Sequence, residues 1–157
     1  MAGENALIFE DPDQIAYEAS RWIGTPYRHQ ASLRGVGCDC LGLLRGVWRA
    51  LLGPEPEQPG PYTPDWSEPS REERLLAAAR RRLIQVDPES AVKAGEVLLF
   101  RMRRDAPAKH LGICIDPHVM VHAHSRLGVV DAGLDRAWRR RLAARFHFPA
   151  PASLRRS

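Results

Sequence analysis

The apolar residues of this chain change period part-way along, and that change restricts the fold more than any other feature. In the first half they recur at helical spacing. From Asp11 to Trp22, the residues Ile15, Ala16, Ala19 and Trp22 follow an Asp-Pro start and stop at Gly24. In DCLGLLRGVWRALLG, the residues Leu43, Leu44, Val47, Trp48 and Leu51 form one stripe that Gly53-Pro54 ends. Six prolines from Pro54 to Pro69 exclude regular structure there, so 54–69 is a loop. Ser70 to Leu83 then has the cap, early acids and late arginines of a third helix. Farther on the runs become short and strand-like: Glu96 to Met102, Leu111 to Ile115, Val119 to Ala123 and Leu142 to Phe148, with Asp116-Pro117-His118 as the turn between the middle two. Helices first and strands after, joined by hairpin-length connections, predict an α+β domain with N-terminal helices packed on an antiparallel β-sheet.

A chain of 157 residues with 44% hydrophobic and 27% charged residues suits one self-supporting domain, here 1–150, with 151–157 as a basic tail. Cys38, Cys40 and Cys114 cannot build the multi-bridge framework of a small secreted scaffold, so reduced thiols are expected. The opening MAGENALIFEDPD has no basic segment and only four apolar residues from Ala6 to Phe9. It therefore reads as neither a secretory leader nor a membrane span, and the expectation is a soluble protein made in the cytoplasm. Seven arginines and no acid follow Asp135, so that end carries +7 and the remainder −3 of the net +4. Arginine is the better bidentate partner of a polyanion, but a solvated face is the simpler explanation of such a run. Without aromatic interleaving or zinc-finger spacing, no specific nucleic-acid binding is expected.

Cys40 falls at the start of the second helix, where unpaired backbone N–H groups and the macrodipole favour a reactive thiolate. Cys114 lies mid-strand between Ile113 and Ile115 and reads as a small core residue. Strand residues alternate faces, so His110, Gly112 and Cys114 share one face, and Gly112 leaves room beside the imidazole. If the Asp-Pro-His turn has an odd number of residues, even positions pair with even ones, and His122 and His124 join His110. A three-residue loop sets His124 opposite His110 with His122 diagonal, and a five-residue loop sets His122 opposite; periodicity leaves both open. A cysteine nucleophile needs a base in reach and a polar group to hold that base, and this face supplies them. The rival chemistry is a zinc site made of Cys38, Cys40, His110 and His122, which C-x-C spacing supports poorly. His29, His118 and His147 show no such pattern and read as ordinary surface or half-buried histidines.

The ordered set GTPY, GCDCLGL, GEVLLF, KHLGICI and MVHAH resembles the NlpC family of papain-like cell-wall peptidases from Trp22 to about Val130. Within that family, WIGTPY, the DCLG form of the motif and PYTPDWSEP resemble the tail-associated peptidases of phages and gene transfer agents. The resemblance implies Cys40 as nucleophile, His110 as its base and His122 as the residue that orients His110. It implies a substrate- or oxyanion-directed role for Tyr27, and for Asp39 a role either at the helix start or on the substrate amine. It also implies hydrolysis of a peptide bond in the peptidoglycan stem peptide, commonly between D-glutamate and the diamino acid, with no metal or organic cofactor. Expected partners are the stem peptide and phage-like tail or baseplate proteins, which would carry a leaderless enzyme to the wall. Gly95-Glu96 matches the family's Gly-Asp before the first sheet strand, and Leu41 replaces a common serine. A second reading keeps the fold in a structural or wall-binding tail component without catalysis.

Overall fold

A computed structural model describes residues 7–64 and 73–155. The first helix, α1 (Pro12–Ser20), starts where the sequence predicts: Pro12 opens it, and the Asp11 carboxylate accepts from Gln14 N at 3.1 Å. Ser32–Leu33 (β1) and Gly37–Cys38 (β2) form a small antiparallel hairpin that sequence periodicity does not reveal. Helix α2 (Cys40–Leu52) is capped by Asp39, which accepts from Gly42 N at 2.7 Å, and it stops at Gly53 with φ 88°. Gly46 on α2 lets the helix approach the Trp22 ring, since a Cβ there would fall 1.9 Å from that ring.

The stretch 54–64 forms no helix or strand, as its prolines require. It is tied down by Glu55 to Arg45 and Arg49, by Glu57 to Arg81 and Arg82, and by Trp48 Nε1 donating to Pro54 O. The third helix, α3 (Arg74–Arg82), buries Leu75, Leu76 and Ala79 and gathers Arg80, Arg81 and Arg82 in its last turn. The Ser70 cap expected for it lies outside the described residues. At the observed N-cap, the Glu73 carboxylate makes no cap bond, because it accepts from Ala108 N and from Arg101.

The second half forms β3 (Ile84–Gln85), β4 (Val97–Phe100), β5 (His110–Asp116), β6 (Val119–His124), β7 (Gly128–Gly133), helix α4 (Arg136–Arg141), β8 (Leu142–His147) and a single helical turn, α5 (Ala152–Arg155). The six strands make one antiparallel sheet in the order β3-β8-β4-β5-β6-β7. One face packs Val97, Leu99, Leu111, Ile113 and Val121 against α1 and α2. The other packs Leu98, Phe100, Cys114 and Met120 with Leu134 and Trp138. The α+β prediction therefore holds, while β3, β7, α4 and α5 are additions. Part of the supposed basic tail, 152–155, is helical.

The β5–β6 turn departs instructively from expectation. Only Pro117 and His118 separate the strands, but a bulge shifts the register between Cys114 and Asp116. The two-residue turn plus one bulged residue restores the odd count, so Cys114 pairs with Met120 and even positions oppose even ones.

Arg145 corrects a second expectation. Grouped by sequence with the polyanion-facing arginines, it is buried at 5% exposure against Glu96 at 1%. Its Nε and Nη2 lie 2.7 and 3.2 Å from the Glu96 oxygens, and it also donates to Ser90 O and Ala91 O. It is an internal brace between β8 and the start of β4.

Candidate active site

Tyr27, His29, Asp39, Cys40, Tyr62, Met102, Lys109, His110, His122, His124 and Trp138 line one cleft at the end of the sheet. Every site residue expected from the sequence is among them. Cys40 comes from the first turn of α2, His110 from the first residue of β5, and His122 from β6.

Extended along the strands, the observed register sets His110 opposite His124 and Gly112 opposite His122. The imidazole that meets His110 is nonetheless the diagonal one: His110 Nε2 lies 2.9 Å from His122 Nδ1, with the rings perpendicular at 5.1 Å. His124 is engaged elsewhere, its Nδ1 accepting from Arg126 N and Leu127 N, both at 3.1 Å, and so holds the turn before β7. Gly112 does not leave a void beside His110; a Cβ there would lie 2.5 Å from Met120 Sδ, so methionine already fills that space. The four-ligand zinc arrangement is not formed, and among the described residues no three His, Cys, Asp or Glu side chains are placed to hold one metal ion.

Asp39 takes the helix-start position. Its Oδ1 caps Gly42 N, and its Oδ2 accepts from Gln30 N at 2.7 Å and from the Tyr62 hydroxyl at 2.5 Å. His29 Nδ1 stands 3.6 Å from the same oxygen, and its Nε2 donates to Tyr62 O at 2.9 Å. Tyr62 and His29 line this cleft, where sequence reasoning did not place them. A tyrosine inside a proline-rich loop and a histidine after a turn carry no periodic signal, and only folding brings them to Asp39. Tyr27 reaches the cleft from a parallel bridge to Cys38, and burial, with Asp39 next, pushes its hydroxyl up to about 12.

Electrostatics in the buried cleft oppose the thiolate expected at the helix start. Burial first, and the Asp39 charge second, push the Cys40 thiol up to about 12, outweighing the backbone N–H groups of Leu111 and Leu41 that pull it down. The sulfur rests 3.9 Å from Lys109 O, as a donor to that carbonyl. Burial, with His122 next, pushes His110 down to about 3, and burial with His124 pushes His122 down to about 4. The resting site is thus a neutral thiol beside neutral imidazoles.

A pH dependence of stability follows. The unfolded histidines bind protons below about 6.5, while the folded ones stay neutral down to about 4 and about 3. Unfolding therefore takes up protons in that window, so stability is complete above pH ~6.5 and is lost as pH falls through it. Between pH 7 and 5, where most carboxylates remain charged, urea denaturation should show a loss of up to about 1.4 kcal/mol per pH unit for each histidine. The slope should shrink in His122→Gln, and a flat profile for the wild type over this range contradicts the neutral pair.

No family model matches the sequence, and no curated protein does. Solved structures do match. The NlpC/p60 domain of the peptidoglycan hydrolase SagA superposes with a TM-score of 0.60 at 21% identity, over 88% of this chain and 100% of that one. The fold is that of an NlpC/p60 domain. An NlpC/p60 family protein from Bacillus cereus gives 0.63 at 16% identity, over 90% of this chain and 41% of its own. An NLP/P60 family protein from Staphylococcus aureus gives 0.58 at 19% identity, over 92% and 44%. The chain thus spans all of the first NlpC/p60 structure and less than half of the other two. Among the described residues, no helix is long and apolar enough to cross a membrane.

Proposed function

We propose that the protein is a cysteine peptidase that hydrolyses a peptide bond in the peptidoglycan stem peptide, between D-glutamate and the diamino acid. The observation that carries this reading is the placement of Cys40, at the start of α2, in the same cleft as the hydrogen-bonded pair His110 and His122. The naming of a similar domain as part of a peptidoglycan hydrolase supports the choice of polymer.

In the mechanism this geometry supports, neutral His110 is the base. The tautomer that accepts a proton at Nδ1 carries its own on Nε2 and donates it to His122 Nδ1, which fixes the ring. The thiol proton passes from the Lys109 carbonyl to His110 as sulfur attacks the substrate carbonyl, so neither charge forms alone in the buried cleft. Asp39 already occupies Gly42 N and Leu43 N, and the Leu41 N–H faces the sulfur, leaving the Cys40 N–H at the front of the helix for the developing oxyanion. The C–N bond breaks as protonated His110 gives its proton to the leaving amine. Water, deprotonated by His110, then cleaves the thioester and restores the thiol.

The same reading has the enzyme assembled in the cytoplasm into a phage-like tail or baseplate and thinning the wall locally; the WIGTPY, DCLG and PYTPDWSEP stretches support it. Mass spectrometry of muropeptides tests reaction and substrate together. Purified sacculi incubated with the protein should yield fragments ending at D-glutamate, with a matching new amine on the diamino acid. Sacculi that bind the protein but give an unchanged muropeptide profile would establish the non-catalytic wall-binding component instead.

A further inference from the structure

Helix α4 lies outside the motifs that point to catalysis, yet it places one side chain against both histidines. The Trp138 indole stacks on His110 at 5.7 Å with 25° between planes, and meets His122 edge-on at 5.3 Å and 72°. It also meets the Phe100 ring, at 4.8 Å and 61°, within the second apolar cluster. The mounting is firm for so short a helix. Asp135 caps it by accepting from Trp138 N at 2.9 Å, Arg139 Nε donates to Leu134 O at 2.8 Å, and Leu134 N donates to His118 O at 2.8 Å.

A single hydrogen bond from Nε2 fixes one point of an imidazole and leaves the ring free to swing about it, because the terminal sp³–sp² torsion is broad. A flat aromatic neighbour removes that freedom and keeps water off the bond. We propose that Trp138 is a positioning residue for the hydrolysis: its indole holds the plane of the His110 ring, keeps Nε2 on His122, and shields that hydrogen bond from water. This inference rests on the catalytic reading of Cys40 and His110 and adds to it a group that acts through His110 without touching the reacting atoms.

The shielding has a substrate-free signature. The titratable and charged groups that bear on His110 are His122 and His124 from β6, Lys109 before β5 and the Cys40 thiol from α2, while α4 itself carries Arg136, Arg139, Arg140 and Arg141. All of these remain when only the indole is removed. Water then reaches the imidazolium, and the protonation midpoint of His110 moves up from its depressed position toward 6.5.

The test compares the full-length wild type with Trp138→Phe, which keeps a flat ring, and Trp138→Leu, which keeps apolar packing without one. Circular dichroism checks the fold of each variant. Histidine titration by NMR without substrate should show the midpoint raised in Trp138→Leu and near the wild-type position in Trp138→Phe. On sacculi, Trp138→Leu should lose kcat by about 10- to 100-fold with little change in KM, as expected for a misplaced base, and the acid limb of its pH profile should move up. Trp138→Phe should recover most of the rate. A folded Trp138→Leu with wild-type titration and kcat within about twofold of the wild type overturns the proposal. If the wild type itself releases nothing from sacculi, the peptidase reading fails, and the substrate-free titration still decides whether the indole shields His110.

Discussion

Cys40→Ala should fold like the parent and release no new amino groups from purified sacculi, a loss of about ten-thousand-fold or more. Removing the sulfur deletes one atom from a site 7% exposed, and the bond it loses is a thiol–carbonyl contact of 3.9 Å, so the stability cost should be about 1 kcal/mol. Activity, by contrast, loses the one thiol among the described residues that line the cleft. Cys38 and Cys114 are both fully buried, and Cys114 belongs to the cluster on the far face of the sheet. Cys114→Ala should therefore leave activity on sacculi unchanged. Alkylation separates the neutral pair from a preformed thiolate: with the thiol pushed up to about 12, iodoacetamide should label Cys40 slowly at neutral pH and faster as pH rises. A labelling rate that levels off below pH ~8.5 would show the thiolate that the helix start alone suggests. Equal release from sacculi by Cys40→Ala and the parent would remove the peptidase reading altogether.

The largest effect on stability should come from Arg145→Met. This change leaves the Glu96 carboxylate, 1% exposed, buried without its bidentate partner, and it removes the donors to Ser90 O and Ala91 O. Breaking one side of such a pair costs about 3–5 kcal/mol, because the remaining charge keeps its desolvation penalty and loses its compensation. In a domain of this size that corresponds to a fall in Tm of roughly 10 °C. The double variant Arg145→Met/Glu96→Leu should recover much of the loss, since no charge is then stranded. Chemical denaturation of the parent and the two variants measures both effects, and a single-variant loss below about 1 kcal/mol would mean that water relieves Glu96. Neither residue lines the cleft, so the folded fraction of each variant should keep its activity.

The helices and the sheet face were legible because each rests on local chemistry. Asp11-Pro12 and Asp39 are caps whose bonds span three residues, and the stripe from Leu43 to Trp48 needs only helical spacing to be recognised. The short element β3 escaped because two residues become a strand only where β8 offers an edge. Strand β7 begins and ends in glycine and carries Asp131, and α4 has a single large apolar side chain among its arginines, so neither shows a usable period.

Strand alternation put His122 and His124 on one face of β6, and it joined His110 to them only on condition of an odd turn, which the bulge before Asp116 supplies. The linear order could also mark Cys40 as the first residue of a helix. It could not say which imidazole meets which, that the thiol rests neutral, that Tyr62 and His29 close on Asp39, that Trp138 covers His110, or that Arg145 turns inward. Each of these depends on distance and dielectric between segments far apart in the chain, and such quantities exist only once packing has excluded water.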